Sequence, residues 1–108
     1  MRELRFRADG MRLARIGDFG GITAGSSGFL RAEFELSEDY EGCEIIADFG
    51  SSERSSEAVF VRDGGCMVPG SVTGGRWWSV CLVAVRDGLV VETNRVIVRQ
   101  GVRARGNA

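Results

Sequence analysis

Apolar and polar side chains alternate along almost the whole chain, and that period of two is what most restricts its fold. Residues 30–36 read Leu-Arg-Ala-Glu-Phe-Glu-Leu, with Leu30, Ala32, Phe34 and Leu36 on one side and Arg31, Glu33 and Glu35 on the other. This is the pattern of a strand with one dry face and one wet face. Residues 43–49 place Cys43, Ile45, Ala47 and Phe49 on one side in the same way. Residues 58–62, 77–85 and 95–99 are rich in β-branched and aromatic side chains, which suit strands. No window carries a 3.6-residue apolar stripe over ten or more positions, so an all-β chain is expected.

The turn chemistry agrees. Asp-Gly occurs at 9–10, 63–64 and 87–88, each time between strand-like runs. Both residues tolerate the positive φ that a tight hairpin turn needs. Counting outward from Asp9-Gly10 pairs Ala8 with Met11, Arg7 with Arg12 and Phe6 with Leu13. Counting from Asp87-Gly88 pairs Val85 with Val90 and Ala84 with Val91. Loops are expected at 17–28, 50–57 and 69–76. Short strands spaced by about ten residues predict an immunoglobulin-like antiparallel β-sandwich of about seven to nine strands, filling residues 1–101 as one domain. The tail 102–108 has no partner pattern and is expected to fray.

The 108 residues include no His and no Lys. Ser-His, Cys-His and His-zinc arrangements are therefore excluded, as are Schiff-base lysines and the phosphate-loop lysine. With so poor an acid–base inventory, no enzyme, no cofactor and no metal site are expected. A formal net charge of -1 argues against a nucleic-acid partner. No stretch approaches the roughly 20 apolar residues of a membrane span, and no membrane partner is expected. Cys43, Cys66 and Cys81 are odd in number and form no CxxC pair, so free thiols are expected. Residues 1–7 lack the apolar run of a signal peptide, which points to synthesis in the cytosol without export.

Three segments invite a site. The Gly-rich stretch 17–28 resembles a phosphate loop in composition, but strand-like residues follow it where a helix should begin, so an ordinary flexible connection is expected. Glu33, Glu35, Glu38, Asp39, Glu41 and Glu44 are dense, yet their spacing fits no calcium loop, and they are read as a solvated face. The segment 77–85 carries the strongest signal. Trp78, Val80, Leu82 and Ala84 share one face, and Trp77, Ser79, Cys81, Val83 and Val85 the other. Both faces are mostly apolar, and pairing around Asp87-Gly88 adds Val90 to the second. Only one face of a strand in a small sandwich meets the opposing sheet. Trp77, Val83, Val85 and Val90 are therefore candidate interface residues, to be covered by a second subunit or another protein, or by the chain's own loop 17–28. A carbohydrate-binding sandwich at a host surface, stacking a ligand on Trp77, Trp78 or Tyr40, is the alternative.

Several short motifs, taken in order, carry a family resemblance. They are Gly25-Ser26-Ser27-Gly28 leading into Ala32-Glu33-Phe34, then Tyr40-Glu41-Gly42 and Ala47-Asp48-Phe49-Gly50. Asp63-Gly64-Gly65-Cys66 with Pro69 follows, then Gly75 before Trp77-Trp78, and Thr93-Asn94-Arg95-Val96 ending at Gly101. From about residue 16 to 101 the chain resembles the N-terminal immunoglobulin-like module of the phage baseplate upper-protein family. The resemblance implies a structural or adaptor module of a phage or prophage tail, at a baseplate or fibre attachment. Its partners would be other tail proteins or further copies of itself. It implies a virion protein assembled in the bacterial host cytoplasm and brings no catalytic residue.

Overall fold

A computed structural model describes residues 1–101, so the tail expected to fray lies outside the described residues. The strands, in chain order, are β1 (Arg2–Asp9), β2 (Arg12–Ile16), β3 (Leu30–Leu36), β4 (Glu44–Ser51), β5 (Ser56–Phe60), β6 (Gly65–Met67), β7 (Trp77–Arg86), β8 (Leu89–Glu92) and β9 (Val96–Arg99). Single 3-10 turns occupy Glu38–Tyr40 and Gly70–Val72. One sheet has the order β2-β1-β3-β6; the other runs β5-β4-β7, with β8 and β9 sharing the far edge of β7. The result is an all-β sandwich of nine strands among the described residues, in which β3 and β6 belong to one sheet and β4, β5, β7, β8 and β9 to the other.

Alternation puts the core where period two requires it. Leu4, Phe6 and Ala8 of β1, Ala32 of β3, Ala47 and Phe49 of β4, and Trp78, Val80, Leu82 and Ala84 of β7 are all fully buried between the sheets. Phe6 stacks on Phe34 at 5.4 Å between ring centroids, and Phe49 lies 5.8 Å from Trp78. Aromatic pairs at this separation contribute beyond their area.

Three expectations are corrected. First, the sandwich is not wholly antiparallel, because β1 and β3 pair in parallel, from Arg2 opposite Leu30 to Ala8 opposite Leu36. This register sets Arg5 beside Glu33 and Arg7 beside Glu35, so a basic strand lies against an acidic one. Second, the first hairpin turns one residue later than counted. Asp9 pairs with Arg12, Ala8 with Leu13 and Arg7 with Ala14, so Gly10 and Met11 form the turn. Gly10 takes φ +56° at the first turn position while Met11 does not need a positive φ, which is the pattern of a turn requiring glycine only first. The shift removes the facing Arg7–Arg12 pair and keeps Leu13 opposite Ala8 in the core. Third, loop 17–28 is tied down rather than free. Gly101 N–H donates to Ile22 at 2.7 Å, Ala24 N–H donates to Gly101 at 3.0 Å and Gly25 N–H donates to Thr73 at 2.6 Å. Ile22 and Ala24 are buried, so the loop closes one end of the sandwich.

The turn at 87–88 matches its expected register, with Val85 opposite Val90 and Ala84 opposite Val91. Beyond it, β7 changes neighbour from β8 to β9 at Thr93-Asn94. The Thr93 hydroxyl accepts the Leu82 N–H at 2.9 Å, a bond the interrupted ladder would otherwise lose. The Asn94 side chain reaches the opposite sheet, accepting from Leu13 N–H at 2.8 Å and donating to Leu13 C=O at 3.0 Å. A side-chain amide thus plays the part of a neighbouring strand for β2.

Candidate docking face

The outer surfaces of the two sheets differ in kind. On the four-stranded sheet, Arg5 and Arg7 both bond to Glu35, and Arg31 bonds to Glu33. Hydrogen bonds from Arg7 and Arg5 hold the Glu35 carboxyl below its ordinary range. Of the six acidic residues noted in the sequence, Glu33, Glu35 and Glu44 bond to arginine, and Glu38, Asp39 and Glu41 are exposed at the turn that follows β3. Among the described residues, no cluster of three or more His, Cys, Asp or Glu side chains is placed to hold a metal.

The five-stranded sheet adds exposed apolar side chains to its charged ones. Its register aligns Phe60 of β5, Ile46 of β4, Val83 of β7 and Glu92 of β8 in one row across the outer face. The adjoining row holds Glu44, Val85 and Val90. Further along, Ile97 of β9 lies beside Ser79, and Arg99 beside Trp77. Phe60, Val85, Val90 and Ile97 are 51%, 44%, 64% and 44% exposed, far more than residues of a closed core. Trp77 and Val83 are half-buried. The candidate residues Trp77, Val83, Val85 and Val90 therefore share one face, and Phe60, Ile46 and Ile97 join them. Loop 17–28 caps the end of the sandwich and does not roof this face.

Between the two apolar ends, the chain covers its own strand. Arg95 bonds to Asp48 at 2.7 Å and to the Ser79 hydroxyl at 3.3 Å. This bridge buries Ser79 and Cys81 although both point outward. At the β5 edge, the Arg62 guanidinium lies 4.6 Å from the Phe60 ring centroid and reaches Glu44 at 3.4 Å. Glu92, at the opposite edge, has no ion-pair partner among the described residues.

Two of the three residues considered for ligand stacking are not at the surface. Trp78 is fully buried, because its parity places it in the core rather than beside Trp77. Tyr40 is 3% exposed, and its hydroxyl donates to the Gly10 carbonyl at 2.5 Å. Among the described residues, depressions of about 180, 210 and 270 Å³ lie away from this face, at the loop beside Phe29 and around Ser37. Each is smaller than the ~300–1,000 Å³ of ordinary ligand pockets.

All three cysteines are free thiols. Burial pushes the Cys66 thiol up to about 11 and raises Cys81 as well. Cys43 is only half-buried. In native protein near pH 8, a thiol reagent should label one group fast and the other two only on unfolding. Three fast groups would contradict this packing. The Cys66 shift also has a definite sign. Its folded value lies above the ordinary 9.0, so stability retained below pH 9 is lost as pH rises toward about 11.

Comparison with family models, with curated protein sequences and with solved structures finds no match to this chain.

Proposed function

We propose that the chain is a structural or adaptor module of a phage or prophage tail that works by docking other protein through the outer face of its five-stranded sheet. The observation that carries the docking reading is the exposed apolar cluster of Phe60, Val85 and Val90 at one end of this face, with Ile97 exposed at the other end beyond the Arg95–Asp48 pair. Exposed apolar patches of this kind mark contact surfaces, since a solvated sheet face alternates fully to polar. The tail assignment rests on the sequence resemblance described above, and a non-enzymatic role accords with a chain that has neither His nor Lys.

The sheet edges support face docking over strand addition. The outward-facing edge of β2 at Leu13 is occupied by Asn94. At the edge of β5, Glu57 lies opposite the core residue Phe49, so a charge sits on the inward side and guards that strand. β6 and β8 have three and four residues, too short to template a partner strand.

The test uses particles released from an induced host that carries the gene. Mass spectrometry of purified tails should find the wild-type chain. A Phe60→Ser/Val85→Thr/Val90→Thr variant should melt like the wild type yet be absent from the tails. Tails without the wild-type chain would overturn the tail assignment, and normal incorporation of the variant would overturn the role of this face.

A further inference from the structure

The pattern of this face also identifies what it fits. Resting on the docking reading above, we propose that its occupant is a second copy of the same chain, packed sheet against sheet about a two-fold axis. The axis would run along the strands, between β4 and β7.

Such an axis reverses the order of the strands across the face and preserves position along them. The row Phe60–Ile46–Val83–Glu92 then meets its own reverse. Ile46 lies over the partner copy's Val83, and Glu92 lies over the end of the row where Phe60 carries the Arg62 guanidinium. The carboxylate without an ion-pair partner among the described residues thus meets an exposed cation, twice per dimer. Ile97, the bulky residue at the other end, falls opposite Ser56, next to Gly50, where side chains are small or lacking. In these two rows apolar meets apolar, acid meets base and large meets small, as a self-complementary surface requires. In the adjoining row Glu44, held by Arg62, lies over the partner copy's Val85, and the Arg95–Asp48 pair lies near the axis.

The area suits a modest, concentration-dependent interface. The strand residues of β4, β5, β7, β8 and β9, each covering ~3.4 by ~4.8 Å, define a face of ~500 Å² in projection. The corrugated surface of side chains exceeds its projection, which brings the face to about the ~600 Å² per partner at the lower end of specific interfaces. The outer face of the other sheet carries Arg5, Arg7, Arg31, Glu33 and Glu35, and shows none of the exposed Phe, Val and Ile side chains found here.

Sedimentation velocity over a concentration series tests the proposal. The wild type should pass from monomer to dimer as concentration rises. Glu92→Arg or Arg62→Glu alone should weaken the dimer ~10-fold or more, since each puts like charges together. The double reversal Glu92→Arg/Arg62→Glu should restore most of the affinity, a result that no folding defect can mimic. Circular dichroism melts would check that each single variant is folded. A wild type that remains monomeric at millimolar concentration overturns the second copy as occupant, and so does a double reversal no better than either single change. Loss of the face variant from tails in the preceding experiment, combined with a strictly monomeric wild type, would leave the face a docking surface for a different protein.

Discussion

Trp78→Ala should be the most damaging single truncation in the sandwich core, costing ~3–5 kcal/mol. Trp78 is fully buried at the centre of β7, against Phe49 and between the two sheets. A domain of this size has only ~5–15 kcal/mol in hand, so the variant should melt roughly 15–30 °C lower. Trp78→Phe sharpens the expectation. The indole Nε1–H is buried and has no acceptor among the described residues, a condition that itself costs ~1–3 kcal/mol. Phenylalanine leaves a smaller cavity than alanine and removes that stranded donor. Cavity and donor offset each other, so Trp78→Phe should stay within ~1.5 kcal/mol of the wild type. Thermal and denaturant melts of the two variants decide the point. If Phe is as damaging as Ala, the indole N–H is not a stranded donor in the folded protein.

That core was legible in the sequence because parity is a local property. Once 77–85 is a strand, Trp78, Val80, Leu82 and Ala84 must share a side, and Ala47 and Phe49 follow in the next strand. The turn at Asp87-Gly88 was legible for the same reason, since both residues take positive φ, at 37° and 84°. The Asp9-Gly10 turn was not. There the dipeptide favours a turn at 9–10, whereas the observed turn at 10–11 extends the ladder to Asp9–Arg12, removes the facing Arg7–Arg12 pair, and lets the Gly10 carbonyl receive the Tyr40 hydroxyl. Leu13 faces the core in either register, so parity alone could not choose between them. A parallel neighbour leaves no hairpin signal between its strands, so nothing local announces β1 beside β3.

The face was half legible. Val83, Val85 and Val90 follow from parity plus one hairpin. Phe60, Ile46 and Ile97 join only when β5, β4 and β9 are placed in register with β7, and register between strands far apart in sequence is not written in either strand. Ser79 and Cys81 show the converse. Their parity marks them as exposed, but Arg95 and Asp48, brought together across the sheet, close over them. Tyr40 is buried because the 3-10 turn at 38–40 folds it onto the first hairpin, where Gly10 receives its hydroxyl.

Thr93→Val should cost ~1–3 kcal/mol although it changes the shape of the side chain very little. β7 exchanges one neighbour for another at this point, and between them Leu82 would present an N–H with no strand to receive it. The Thr93 hydroxyl receives it and passes its own proton to the Asn94 carbonyl at 2.9 Å. Valine preserves the volume and removes the acceptor, leaving a donor buried beside a 6% exposed residue. Thr93→Ser keeps the hydroxyl and should lose much less. Asn94→Ala should cost less than Thr93→Val, ~1 kcal/mol, because Asn94 is exposed and water can reach the Leu13 groups it leaves. Asn94→Asp separates the donor from the acceptor role of the amide. An ionised carboxylate accepts from Leu13 N–H but meets Leu13 C=O without a proton to offer. The protonated acid supplies both, so the folded pKa of the new group should lie above the ~3.9 of a free aspartate. Its stability contribution is then present at pH below ~4 and lost as pH rises through the folded value, which makes the deficit against wild type larger at pH 7 than at pH 3.5. Urea melts at the two pH values, with unchanged slopes, measure it. A pH-independent deficit would show that the Nδ2–H to Leu13 bond does not hold β2 to the β8–β9 joint, and a Thr93→Val midpoint equal to wild type would show the same of the hydroxyl.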